Sequence, residues 1–212
     1  MFFSRQRGDI GDDGARGVEG ETGKTLEIRK KQPIIKEKGD AIMDALKCIE
    51  TRASIRGYET YKMDEADIKK ILKAGFEAPS AMNRRPYEFI VNTDNAFWKD
   101  YANDKPTCLT ASEASLTVLI VGDSNKNPTQ EFLIEDCSAI TENMLLAATA
   151  LGYGSLWAGI KFGSPFYNRL IADFSLPAGY LPIALLIFGK GKESKKQVDR
   201  YEEAKIHYGR KF

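Results

Sequence analysis

"SLTVLIVG", residues 115–122, carries no charge and is dominated by β-branched and aliphatic side chains. An apolar run of this length, closed by Gly122, reads as a strand buried on both faces. "YEFIVN" at 87–92 reads as a second strand, and "LPIALLIFGKGK" at 181–192 as the last core strand. Helical patterns separate them. "KMDEADIKKILKAGFEAPS" offers Asp64 as an N-cap, acids in the first turn and Ile68, Ile71 and Leu72 on one face, with a stop near Gly75 and Pro79. "NAFWKDYAN" reads as a short helix, and Asp136 as the cap of "CSAITENMLLAATALG", which Gly152 closes. "GSPFYNRLIADF" has Ser164 in the cap position and Pro165 at the first helical residue. "MDALKCIETR" places Met43, Leu46 and Ile49 at helical spacing. Helices alternating with buried strands predict an α/β or α+β domain whose one central sheet is covered on both faces.

Residues 8–25 repeat glycine at every third position, but six triplets without proline lack what preorganises a collagen stalk. The expectation is a disordered, charged N-terminal extension over residues 1–42 and one domain over 43–212, starting at the second methionine, Met43. The tail from Lys190 onward is too polar for a core and is expected to wrap a surface, in particular a partner subunit.

Thirty-one Lys and Arg against 30 Asp and Glu leave a formal charge of +1, so no global field draws the chain to nucleic acid or an anionic membrane. No apolar run is long enough to span a bilayer or serve as a signal peptide, which predicts a cytoplasmic protein. Cys48, Cys108 and Cys137 are widely spaced with no CxxC, and are expected to be buried, inert thiols. With one histidine, His207, in the charged tail, neither His-based catalysis nor a His-rich metal site has material to work with. No metal is expected.

GxGxxG after a strand, GxxxxGK[ST], HExxH and GxSxG are all absent. Three unusual loops remain. In "ETRASIRGY" (50–58), Arg52, Ser54 and Arg56 alternate with Ala53 and Ile55, so an extended chain turns two cations and a hydroxyl to one side. They are either solvated surface arginines or a fork for an anion such as phosphate. "EAPSAMNRRPYEFIV" packs Pro79, Ser80, Asn83, Arg85 and Pro86 into a stiff connection, as turn or as donor frame. "LGYGSLWAGI" is a glycine-rich loop around Trp157, either a helix cap followed by a core tryptophan or a place where backbone approaches a flat ligand.

Taken jointly, "ETRASIRGYE", "APSAMNRRPYEFIV", "ITENMLLAATALGYGSLWAG" and the terminal "PIALLIFGKGK" resemble the bacterial nitroreductase family, whose pattern runs TRRSxRxY, APSxxNxQPW, an ENMLLAA helix followed by GLGSxWIG, and a strand ending in Gly. The resemblance covers residues 43–212 in order and spacing. It implies an α+β fold with a central mixed sheet flanked by helices, in a homodimer that binds FMN at its interface. It further implies that Arg52, Ala53 and Ser54 hold the phosphate end of FMN, with Arg56 near the flavin N1 and O2 edge. Pro79, Ser80, Ala81 and Asn83 reach the flavin from the other subunit, Arg85 adds charge near the flavin pyrimidine or the dimer seam, and Leu156, Trp157, Ala158 and Gly159 line the opposite side of the flavin. A basic tail residue, Lys196 or Arg200, completes the phosphate site.

The implied activity is an NADH- or NADPH-dependent reduction of a nitroaromatic, quinone or related small-molecule acceptor by ping-pong hydride transfer. No protein acid or base is needed, because the cofactor carries that chemistry, while a fixed cation such as Arg56 favours the reduced flavin. Four departures bear on acceptor choice rather than fold: Arg85 for Gln, Tyr87 for Trp, Ala53 for a basic residue and Ala158 for Ile. A dehalogenase or flavin-modifying enzyme fits the same loops, although residues 93–115 are short for a lid. A non-catalytic stalk protein built on the glycine repeat is the alternative from a different class.

Overall fold

The computed structural model describes residues 44–210, so the expectations for residues 1–42 and for Met43 lie outside the described residues. Four strands, β1 (Tyr87–Asn92), β2 (Leu116–Asp123), β3 (Gly154–Gly159) and β4 (Tyr180–Gly189), form one sheet in the order β1-β2-β4-β3. Every neighbouring pair is antiparallel. Among the described residues, parallel pairing enters only at an isolated bridge between Ser54 and Ser155, on the outer edge of β3. Pro182, in a central strand, is tolerated because the β2–β4 register slips between Ile120 and Val121, where a ladder donor is dispensable.

The helices are α1 (Ala45–Thr51), α2 (Glu65–Phe76), α3 (Thr107–Ser112), α4 (Gln130–Ala150) and α5 (Pro165–Asp173), with 3-10 turns at Ala81–Asn83 and Ala96–Tyr101. The sheet is covered on both faces, as expected, and the period-2 alternation of its central strands decides what meets what. Leu116, Val118 and Ile120 of β2, with Leu186 and Phe188 of β4, pack on Ile71 of α2 and Leu133, Ile140 and Met144 of α4. Leu119 and Val121, with Leu185 and Ile187, pack on the other face against Trp98, Tyr101, Phe166 and Leu170. Thr117, the polar residue inside β2, lies between Trp98 Nε1 and Asn95 Oδ1 at 3.0 and 2.8 Å.

Several local expectations change. The last long helix begins at Gln130, six residues before Asp136, with Thr129 in the cap position. Asp136 is instead buried inside α4, because its carboxylate is taken by a distant loop. α2 does stop near Gly75, ending at Phe76, but Gly75 itself still lies in the helix, where a Cβ would run into Met144 Cε, so glycine there permits the close α2–α4 approach. Leu46 and Ile49 of α1 are 69% and 58% exposed, while Cys48 is the buried residue of that helix. The glycine-rich stretch after α4 is a strand, β3, rather than a loop. Its Gly152, at φ +82, closes α4 as expected. Ser164 caps α5 by accepting from the Tyr167 amide at 3.1 Å, with Pro165 in the first turn. The six-residue helix α3 has no counterpart among the expected elements.

All three cysteines are buried. Burial pushes the Cys108 and Cys137 thiols up to about 12, consistent with inert core residues. Among the described residues no helix is long and apolar enough to cross a membrane, and no cluster of His, Cys, Asp or Glu could hold a metal ion.

Candidate functional site

The arginine strip is docked rather than free. After α1 ends at Thr51 the chain becomes extended, and the Ile55 amide donates to the Ser155 carbonyl of β3 at 2.9 Å. Ile55 turns into the core, which leaves Arg56 on the outside and Ser54 and Arg52 partly exposed. Tyr58 fastens the far end, its buried hydroxyl lying 2.9 Å from the Ile55 carbonyl and 3.2 Å from that of Ile187. Burial raises the Tyr58 hydroxyl well above the usual phenol range, against a smaller lowering by the Arg56 charge, so it stays a donor. The predicted extended geometry is therefore present, held by a neighbouring strand and a buried tyrosine.

This strip forms one wall of a cleft of about 360 Å³ whose other wall is the tail. Arg52, Ala53, Ser54 and Arg56 face Lys195, Lys196, Gln197, Val198 and Arg200 across it. Five cationic side chains line the cleft against the single carboxylate of Glu50. Arg52 is oriented by an ion pair between its Nε and Glu142 Oε1 of α4 at 3.2 Å. Such a cleft suits a multiply charged anion, because guanidinium forks and a hydroxyl give charge-assisted donors in one place. The donor set fits the phosphate of FMN. Lys196 and Arg200, which the sequence left as alternatives, both line the cleft.

The Pro79–Arg85 loop does not reach this cleft in the same chain; it leads into β1, at the opposite edge of the sheet from β3. Its backbone is held in an unusual shape, with Met82, Asn83 and Arg85 at φ 52, 53 and 49. None is glycine, and left-handed backbone costs such residues of order 1 kcal/mol each. Side chains brace it: the Arg85 amide donates to Ser80 Oγ at 3.0 Å and Arg85 Nε to Asn83 Oδ1 at 3.1 Å. The loop is thus a rigid frame, presenting an exposed, mutually bonded Asn83 and Arg85.

On β3 the alternation of an edge strand sorts the expected residues. Leu156 and Ala158 are each 3% exposed and point into the core, so their side chains cannot line a ligand site, and only their backbone could. Trp157 and Gly159 lie on the open face. Nothing lies within 4 Å of where a Gly159 Cβ would stand, and its carbonyl accepts from Lys105 Nζ at 2.6 Å.

Sequence reasoning missed Asp136, Asn127 and Glu142, the groups that hold the arginines and the loop in place. The available signal was the presence of carboxylates in "EDCSAITEN", among residues small and apolar enough to be core. A second groove of about 520 Å³, lined in part by Tyr61, Asp94, Glu113 and Lys192, contains none of the expected site residues.

The sequence model described as "Nitroreductase family" matches residues 49–123 and 108–190. An Archaeoglobus fulgidus protein provisionally named an NADH dehydrogenase/NAD(P)H nitroreductase is 34% identical over 169 residues, covering 77% of this chain and 97% of the relative. A solved Bacteroides thetaiotaomicron structure of the same provisional name is 30% identical, with a TM-score of 0.73 over 79% of this chain and 98% of that one. A Desulfovibrio desulfuricans structure, provisionally a nitroreductase and solved in complex with FMN, is 25% identical, with a TM-score of 0.67 over 79% of this chain and 97% of that one.

Proposed function

This chain belongs to the nitroreductase family and is an oxidoreductase, and we propose that it is a cytoplasmic, homodimeric, FMN-dependent enzyme that uses NADH or NADPH to reduce a nitroaromatic, quinone or related acceptor. The observation that carries the reading is the cationic cleft, in which Arg52, Ser54, Arg56, Lys196 and Arg200 converge from two distant parts of the chain. The FMN complex of the Desulfovibrio relative supports the choice of ligand.

When bound, FMN would supply the redox chemistry, as acceptor of a hydride from the nicotinamide and donor of electrons to the second substrate. The chain's own residues bind and tune. Arg52, Ser54, Lys196 and Arg200 hold the phosphate, with Glu142 keeping the Arg52 fork in place. Arg56 supplies a fixed cation that favours the more negative, reduced state of the ligand. Trp157 and Gly159 offer an open face on β3, while Asn83 and Arg85 are presented by a rigid frame to a second copy.

The dimer is supported by that separation of the Asn83 loop from the cleft, and by exposed apolar residues at two places: Leu46 and Ile49 on α1, and Val198, Tyr201, Ile206 and Tyr208 on the tail. The test is the absorption spectrum of the purified protein: a flavin band in the blue, bleached anaerobically by NADH or NADPH. A colourless protein that takes up no added FMN overturns the proposal.

A further inference from the structure

The strained loop before β1 is tied to α4 by a directional chain of hydrogen bonds. The Ala81 amide donates to Asp136 Oδ1 at 2.7 Å, Asn127 Nδ2 donates to Asp136 Oδ2 at 3.2 Å, and Arg84 Nη1 donates to Asn127 Oδ1 at 3.2 Å. Asn127 is fully buried and Asp136 is 5% exposed, so water does not substitute for these partners. Asn127 is itself fixed, its backbone amide donating to the Asp123 carbonyl at 3.2 Å.

We propose that Asp136 and Asn127 are positioning residues that lock the loop in the left-handed conformation from which Asn83 and Arg85 face the flavin of the second subunit. The flavin-facing part rests on the function proposed above; the locking does not. The argument turns on which atoms donate. At Asp136 both oxygens must accept, one from the loop and one from Asn127, and only a carboxylate accepts at both ends. In turn Asn127 must donate to Asp136 and accept from Arg84, so its side-chain amide is held in one orientation. In Asp136→Asn the new NH2 would have to turn either toward the Ala81 amide or toward Asn127. The second choice flips Asn127 and sets its NH2 against the Arg84 guanidinium. The first choice sets two donors against each other at the buried Asp136, a costly mismatch, and the second breaks the Arg84 tie, whose exposed guanidinium turns to solvent; either way the loop loses one of its two links to the Asp136–Asn127 pair. Asn127→Asp fails for the opposite reason, placing two carboxylates side by side.

The double exchange D136N/N127D keeps the heavy-atom count and restores the polarity. The amide introduced at position 136 accepts from Ala81 through its oxygen and donates through its NH2 to the carboxylate introduced at position 127, whose other oxygen accepts from Arg84. A residue that merely fills space would not distinguish these combinations.

The test uses the full-length chain, as isolated and saturated with FMN, and reads two quantities: amide hydrogen exchange in peptides spanning residues 79–86, and the FMN dissociation constant. Each single variant is expected to speed exchange in the loop at least tenfold and to weaken FMN at least tenfold, and the double exchange to return both to within about threefold of wild type. Loop exchange in flavin-free protein decides the locking by itself. Loop exchange that is unchanged in the singles, or accelerated but not rescued in the double, overturns it. If the single variants do not fold, a double variant that folds with slow loop exchange supports it, and one that does not fold overturns it. Loop exchange accelerated in the singles and rescued in the double, with FMN affinity unchanged throughout, overturns the flavin-facing role. A wild-type chain that takes up no FMN sinks the flavin reading, and with it that role, while leaving the locking to the exchange data.

Discussion

Ile55 donates its backbone N–H to the carbonyl of Ser155 at 2.9 Å, so the arginine strip is a short parallel addition to the edge of β3. The cleft therefore inherits the rigidity of the sheet. Arg52, at the C-cap of α1, and Arg56 flank the one point where the segment is pinned to β3, and changes in the strip's seating should be read out at the cleft.

Arg52→Ala should remove a charge-assisted contact to phosphate worth about 1.5–3 kcal/mol, and so weaken FMN roughly 10- to 100-fold. Arg56→Ala should leave most of the affinity and instead lower the flavin reduction potential and slow reduction by NADH or NADPH. Fluorescence titration and anaerobic stopped-flow separate the two. Variants that both hold and reduce FMN like wild type would refute the assignment of roles.

The cleft is open, so its electrostatics should be screened. Raising salt from about 0.1 to 1 M shortens the Debye length from about 10 to about 3 Å, and FMN affinity should fall. The salt dependence should be shallower in Lys196→Ala and Arg200→Ala. Titrations across salt concentration check this, and a slope that neither substitution alters would remove the tail from the site.

Gly189→Ala should unseat Tyr58. A Cβ there meets the Tyr58 ring at 2.9 Å and the Ser115 amide at 3.3 Å, and neither can move cheaply. Overpacking of this kind costs about 1–3 kcal/mol. Denaturant unfolding should show that loss, accompanied by weaker FMN binding as the strip shifts. Tyr58→Phe, which removes only the hydroxyl contacts to Ile55 and Ile187, should cost less, about 1 kcal/mol.

The thiols make an alkaline prediction. Burial raises both Cys108 and Cys137 from an ordinary 9.0 to about 12, with the Asp136 charge adding to the effect at Cys137. Below 9 both states keep the protons and the contribution to stability is whole. Above 9 the unfolded chain releases protons that the folded chain retains, so stability falls as pH rises toward 12, by at most about 1.4 kcal/mol per pH unit per thiol. Urea unfolding across pH 8–11 should show this decline, and Cys137→Ala should flatten it. At pH 8 neither thiol should react with a thiol reagent until the chain unfolds.

The legible parts of the sequence were those whose signal is local. β1 was readable to the residue because a strand's identity lies in its own side chains, and the Ser164–Pro165 start because a cap bonds within its own turn. The alternation of Arg52, Ser54 and Arg56 could be read as a shared face, and the four-block resemblance supplied the family. Asp136 shows where that ends: an acid before an apolar run has the local signature of a cap, and only its contact with Ala81, 55 residues away, makes it a buried brace instead. Leu156, Trp157, Ala158 and Gly159 could be read only as a group, and which of them face outward waited on β3 being an edge strand. The convergence of Lys196 and Arg200 on the arginine strip was likewise beyond local reading, because Arg56 and Lys196 are 140 positions apart and no periodicity links the two walls. Sequence alone determined most of the elements, though not α3, the strand character of β3 or the start of α4, and the chemistry they carry, since both are written in neighbouring residues; the tertiary structure decided which charges meet, since that depends on a sheet assembled from distant strands.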